Sequence, residues 1–191
     1  AKARVEALRL DNKITLLMED YRNLSGQYDK LVSIEMVEAV GHQFYGEYFE
    51  TLGKLLKSEG AALIQAITID HPRFKEAIKD VDFIQRYIFP GSCIPSIDAL
   101  IHASSSKSDL LLTHMEDITP HYAQTLKMWR ENFFANVESI RKLGYSEEFI
   151  RMWDYYFCYC EGGFAERVIG DVQLIFSKPM HRGAPVLGAL Q

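Results

Sequence analysis

A chain of 191 residues can bury one core of ordinary size, and 48% hydrophobic with 25% charged residues is the balance of a water-soluble globular domain. The net charge of −5 argues against a nucleic-acid partner, which needs clustered Lys and Arg, and against strong electrostatic adhesion to an anionic membrane. No apolar run approaches the roughly 18–20 residues of a membrane span, and Cys93, Cys158 and Cys160 are too few and too unevenly placed for a disulfide framework.

The cysteines therefore read as reduced packing residues of a cytoplasmic protein. Ala1 is neither Met nor the start of a leader, and it reads as an internal residue of a longer polypeptide. Residues 1–9 suit a helix, with Val5 and Leu8 on one side. Ile14 to Met18 and Lys30 to Ile34 are short apolar runs of the kind that form buried parallel strands, with a loop at 20–26 between them. Residues 43–57 carry Phe44, Tyr48, Phe49, Leu52, Leu55 and Leu56 at helical spacing, and Gly60 is placed to close that helix. Ala61 to Ile69 reads as a third strand, stopped by Asp70-His71-Pro72.

Short helices are expected over 80–87 and 96–106, around a Phe89-Pro90-Gly91-Ser92 turn, followed by a strand over 108–116. Pro120 opens a long helix over 120–142, since proline is tolerated at a first helical position. Ser146 caps another over 146–165, with Glu147 and Glu148 in its first turn. A final strand over 167–178 could pair antiparallel with its predecessor, and the Gly-, Pro- and Ala-rich residues 179–191 read as a loose tail. Alternating helices and apolar strands predict a parallel α/β sheet, and ligands of such sheets sit beyond the carboxyl ends of the strands.

That rule selects three places. Asp20 and Tyr21 follow the first run; a carboxylate beside an aromatic suits an adenine, and equally a solvated Asp beside a core-edge Tyr. Glu35 and Glu38 follow the second; two acids three apart could face one pocket, or serve a helix N-terminus. Gln65 and Ile67 lie in the outer half of the third. Elsewhere, Phe149, Met152, Trp153, Tyr156, Phe157, Cys160 and Phe164 make a wide apolar helix face, mostly core. His121 and Tyr122 open the long helix ahead of Trp129, and the histidines show no metal-ligand spacing.

Three segments carry a resemblance: Ile34-Glu-Met-Val-Glu-Ala-Val-Gly-His42, Ile84-Gln-Arg-Tyr-Ile-Phe-Pro-Gly-Ser-Cys-Ile-Pro-Ser96, and His121-Tyr-Ala-Gln-Thr-Leu-Lys-Met-Trp-Arg-Glu-Asn-Phe133. Together they resemble the cyclopropane-fatty-acid synthases, a family of S-adenosylmethionine-dependent methyltransferases, and the first segment is similar to plant-like members. The resemblance implies a class I methyltransferase sheet, ordered three-two-one-four-five-seven-six, lacking its first two strands. It implies one partial catalytic domain over 1–178, with helical insertions at about 73–106 and 120–165 covering an acyl-chain pocket. It implies that the cofactor is S-adenosylmethionine, held by Asp20 and Tyr21, with the Gly-rich cofactor loop upstream of Ala1, so that this fragment alone is expected to be inactive.

The resemblance also implies a bicarbonate ion as base, held by Glu38, Gln65, the Ile67 backbone and Tyr156. Gln65 departs from the His of many bacterial members and cannot carry an imidazolium's charge. The partners implied are phospholipid acyl chains, with peripheral contact at the inner face of the membrane, and a homodimer is left open. The reaction implied is methylene transfer to a double bond to form a cyclopropane. Alternatives are methyl or methylene branching without ring closure, or a non-catalytic lipid-binding module.

Overall fold

A computed structural model describes residues 1–184 and 186. Four strands form one sheet: β1 Tyr28–Ile34, β2 Leu56–Ile69, β3 Leu111–Asp117 and β4 Ile169–Ser177, in the order β1-β2-β4-β3. β1 and β2 are parallel, and β4 is antiparallel to both β2 and β3. This is the four-five-seven-six half of the expected order, with the antiparallel closing pair in place.

β2 is the longest strand and is paired along both edges, and its residues alternate between two faces that are each covered by helices. Ala62, Ile64 and Ala66 lie on one face with Val172, Leu174 and Phe176 of β4. That face meets helix α2 (Tyr45–Leu55) and helix α5 (Ile97–Lys107), whose Tyr48, Phe49, Leu52 and Leu100 fill the main core. Tyr48, Phe49 and Phe176 meet edge to face in sequence, at 5.3 and 5.2 Å between ring centres. The opposite face of the sheet is covered by helices α6 (Thr119–Ala135) and α8 (Glu147–Ala165), around Leu126, Phe157 and Phe164, with Ile67 and Ile169 against them.

Several expectations need correction. Ile14 to Met18 forms no strand: it has no ladder partner among the described residues, and Leu17 and Met18 stand 57% and 100% exposed. In the class I order this run is separated from β1 by two further strands, and an unpaired strand has no hydrogen bonds to hold its shape. The helix over 43–57 ends at Leu55, and Gly60 lies inside β2 rather than closing a helix. A Cβ there would meet Leu56 Cδ2 and the Lys57 carbonyl at 3.0 Å, beside the irregular pairing at Tyr28 and Lys30. Asp70-His71-Pro72 does not merely stop β2: Asp70 accepts from the Arg73 N–H and caps helix α3 (His71–Ala77).

Helix α4 (Phe83–Tyr87) starts later than expected, at a capping box of Asp82 and Gln85. The long helix over 120–142 is two helices, α6 and α7 (Val137–Lys142). Asn136, at φ −110°, breaks it by turning its side-chain amide onto the Asn132 carbonyl at 2.8 Å. The first helix is α1 (Lys2–Ala7), with no buried residue. Of the expected tail, Pro185 and residues 187–191 lie outside the described residues.

Leu174 is fully buried in β4 between two paired neighbours. Leu174→Ala is expected to cost about 2–5 kcal/mol of stability, read from the midpoint of urea unfolding at unchanged slope.

Candidate functional site

The carboxyl ends of β1 and β2 are knitted together by the side chains that follow them. Glu35 extends the ladder, donating its N–H to the Gln65 carbonyl at 2.9 Å, then turns sharply at φ +48°. That turn leads into a short 3-10 turn, Val37–Ala39, which drives Glu38 under the strand ends, where it is 8% exposed. Glu38 Oε1 accepts from the backbone N–H of Ile67 at 2.6 Å, while Oε2 is buried without a partner. The Glu38 carbonyl accepts from the Cys93 N–H at 2.7 Å, and the Cys93 carbonyl accepts from the Tyr45 hydroxyl at 2.9 Å. Ile69 N–H donates to Pro95, and Ser96 meets His71 Nδ1 at 2.9 Å. The 84–96 motif thus lies across the strand ends as a lid pinned at four points, and its Phe89 ring meets Tyr156 edge-on at 6.1 Å.

Gln65 is the hub. Its Nε2 donates one hydrogen to Glu35 Oε1 and the other to Asp171 Oδ2, each at 2.9 Å, and its Oε1 accepts from Gln173 Nε2 at 3.0 Å. Glu35 Oε2 accepts from the Tyr122 hydroxyl at 2.7 Å. Asp171 is fully buried with Oδ1 unpartnered, and its N–H donates to Thr119 Oγ1 at 3.0 Å, tying β4 to the start of α6. Glu35, Gln65, Asp171 and Tyr122, with Ile34, Ile118, His121, Thr125 and Trp129, line an open cavity of about 410 Å³.

Burial pushes Glu38 up to about 7, opposed by the hydrogen bond from Ile67 and aided by the charge of Glu35. Burial likewise pushes Asp171 up to about 7, with Glu35 and Glu38 adding to it. The Tyr122 phenol is raised by burial and by its bond to Glu35. Tyr156 is pushed up to about 12, by burial first and then by the charges of Cys160 and Glu35.

Of the residues expected from sequence, Glu38, Gln65 and Ile67 come together. Tyr156 stands apart from them in direct contact, packed with Trp153, Phe157 and Phe89. Asp20 caps its own 3-10 turn and holds Arg22 at 2.6 Å, which with the backbone bond lowers its carboxyl to about 2. Tyr21 leans edge-on against Tyr48 at 5.7 Å. The residues missed are Asp171 and Gln173, and Tyr122 was given no role. An acid followed two places later by an amide, inside the otherwise apolar 168–176 run, was the available signal: period two puts both on the same face.

The groups expected to hold a bicarbonate ion do not fit an anion. None of Glu38, Gln65, Ile67 and Tyr156 is a cation. Both amide hydrogens of Gln65 and the N–H of Ile67 are already spent on carboxyl oxygens. What remains as donors is the Tyr156 hydroxyl and a protonated Glu38, with the charge of Glu35 close enough to raise both.

A family model described as mycolic acid cyclopropane synthetase matches residues 1–174. The tuberculostearic acid methyltransferase of Mycobacterium tuberculosis is 40% identical over 164 residues, 86% of this chain and 38% of that protein. The cyclopropane-fatty-acyl-phospholipid synthase of Escherichia coli K12 is 36% identical over 174 residues, 91% of this chain and 44% of that protein. The chain thus spans less than half the length of these relatives. A solved mycolic acid cyclopropane synthase, complexed with SAH and CTAB, superposes with a TM-score of 0.78 at 27% identity, over 92% of this chain and 66% of that one. A cyclopropane synthase of Mycobacterium tuberculosis shares the fold, with a TM-score of 0.75 at 23% identity, over 91% of this chain and 66% of that one.

Asp171 carries a sharp consequence for stability. Its carboxyl rises from an ordinary 3.8 to about 7 on folding, so its contribution is fully present below the ordinary value and is lost as pH climbs through the folded value. Asp171→Asn, which keeps an acceptor for Gln65, is expected to flatten that loss. The difference in unfolding free energy between variant and wild type should shift in the variant's favour across this window, in urea titrations at stepped pH; a constant difference would show that Asp171 does not titrate there.

Proposed function

This chain belongs to the mycolic acid cyclopropane synthetase family, and we propose that its site serves methylene transfer from S-adenosylmethionine to a double bond of a phospholipid acyl chain, closing a cyclopropane ring. The observation that carries the reading is the union of a buried acid cluster with an aromatic-walled cavity at the carboxyl ends of β1 and β2. The alkene carbon takes the cofactor's methyl, the carbon–sulfur bond breaks, and the neighbouring carbon is left cationic. Loss of a proton from the new methyl supplies the electron pair that closes the ring. The chemistry asks the protein for three things: ring faces toward the cation, walls that keep water away, and a carboxylate to receive the proton.

Trp129 and Tyr122, edge to face at 6.2 Å, supply the ring faces, with Ile34 and Ile118 beside them. Burial raises the Glu38 carboxyl to about 7, which lessens the repulsion between the two acids three residues apart. The cofactor itself supplies an electrophilic methyl on a sulfonium. Asp20 fits its adenine: the carboxylate is 40% exposed, and oxygens bonded to Arg22 can still accept from an exocyclic amine. A substrate embedded in a bilayer makes the protein a peripheral visitor to the membrane, and no helix among the described residues is long and apolar enough to cross one.

A second reading is methyl branching without ring closure, favoured by the 40% identity to the tuberculostearic acid methyltransferase. Mass spectrometry of lipids from cells expressing the gene separates the two, because ring and branch fragment differently; no methylated lipid at all would sink both readings. Within the active protein, Glu38→Gln, which puts an amide nitrogen without an acceptor where a buried carboxyl oxygen lies under the strand ends, is expected to lower lipid methylation about tenfold or more, with S-adenosylmethionine affinity by calorimetry unchanged. Wild-type turnover in that variant would show that the Glu38 carboxyl does not support the site.

A further inference from the structure

We propose that Glu35, a side chain of this chain rather than a bound bicarbonate ion, takes the proton from the lipid cation. The inference rests on the acyl-methyltransferase reading and deepens it by naming the base. Three independent features point to this residue.

The first is placement. Glu35 lines the 410 Å³ cavity beside Trp129 and Tyr122, whereas Glu38 is absent from its walls and spends Oε1 on the Ile67 N–H. The second is support. Glu35 Oε1 is held by Gln65 and Oε2 by Tyr122, so the carboxylate is oriented by groups from β2 and α6 at once. Gln65 is oriented in turn, because Gln173 donates to its Oε1 and fixes which end of the amide faces the acids. The third is strain. A glutamate at φ +48° occupies a conformation that costs a non-glycine residue about 1–2 kcal/mol, and such outliers persist where the surroundings enforce them.

The ion's case is weak on the same grounds. An anion in this place would sit beside an existing carboxylate, with no positive partner among its assigned ligands and with the Gln65 donors already used. The atom balance closes without it. The carbon–hydrogen bond of the new methyl breaks and the proton passes to the Glu35 carboxylate; the electron pair closes the ring directly, or forms an exocyclic double bond once a 1,2-hydride shift has moved the cation onto the methyl-bearing carbon. S-adenosylhomocysteine and the neutral lipid leave, and Glu35 then returns the proton to water.

The test measures products, since proton loss follows methyl transfer and need not limit turnover. In buffer stripped of carbon dioxide, the wild-type protein should make deprotonated products, ring or methylene, at an undiminished rate. Titration calorimetry with sodium bicarbonate should show no binding. In Glu35→Gln, S-adenosylhomocysteine release should persist while the share of deprotonated product falls about tenfold or more and the share of alcohol, from water capture of the cation, rises. Collapse of the wild-type yield on stripping, restored by bicarbonate, would overturn the assignment without needing any variant. An unchanged product ratio in Glu35→Gln would also overturn it. Absence of methylated lipid from the wild type would instead bring down the acyl-methyltransferase reading, and the base with it.

Discussion

The site depends on one side-chain amide. Gln65 sits where β1 ends, β2 continues and β4 passes antiparallel, and its three hydrogen bonds reach a residue from each neighbour. A primary amide offers two donors and an acceptor in one plane. Here both donors point at acids and the acceptor points at another amide, so the orientation is not free to reverse. Reversal would set the Gln65 oxygen against Glu35 and Asp171 and its NH2 against that of Gln173. Buried polar networks are stable only when each member is paired. That condition ties the register Gln65↔Gln173 and Ile67↔Asp171 to the chemistry, since a one-residue slip of β4 against β2 would put Gln65 and Asp171 on opposite faces of the sheet.

The two faces of the sheet divide the work. The α2–α5 face is packed with apolar and aromatic side chains and supplies most of the buried area. The α6–α8 face is smaller, with three buried apolar residues in its core, and accommodates the polar network beside them. Tyr122 spans both parts: its ring stacks on Phe164 at 4.5 Å, and its hydroxyl reaches Glu35. The same residue therefore anchors α6 to α8 and holds the acid at the cavity wall. The 84–96 lid is attached to the strand ends by backbone hydrogen bonds, which explains why that segment is dense with Pro, Gly and Ser.

Elements with a strong local signal were legible in the sequence. Ser146 capped its helix as expected, accepting from the Phe149 N–H, and the apolar runs at 30–34 and 61–69 became paired strands. The run at 14–18 is as apolar yet has no ladder partner among the described residues, because a strand is defined by its neighbours and composition does not report them. Gly60 looked like a helix stop and became a strand residue, since glycine serves close approach in either setting. In the candidate site, Glu38 was legible by its position past a strand end, Gln65 by its place in the outer half of the next strand, and both by resemblance. Asp171 was not, because it approaches Gln65 from 106 residues away in sequence, across an antiparallel pair that only the fold creates. Glu35 was visible as one of two spaced acids, but its left-handed backbone and its bond to Tyr122 were not.

Charge explains why these residues belong together. Three carboxyls within one network would repel one another if all were ionised, and burial multiplies that cost. The structure relieves it by raising the Glu38 and Asp171 carboxyls to about 7, each with one oxygen unpartnered, and by giving Glu35 two donors. A cation at position 65 would balance a single added anion. An amide there balances no charge, but it can hold two carboxyl groups at a fixed distance from each other. Gln65, Glu35 and Asp171 are thus a matched set: changing Gln65 alone would leave a buried and a half-buried acid without their shared donor, and removing Glu35 alone would leave the amide with an unused hydrogen facing the cavity.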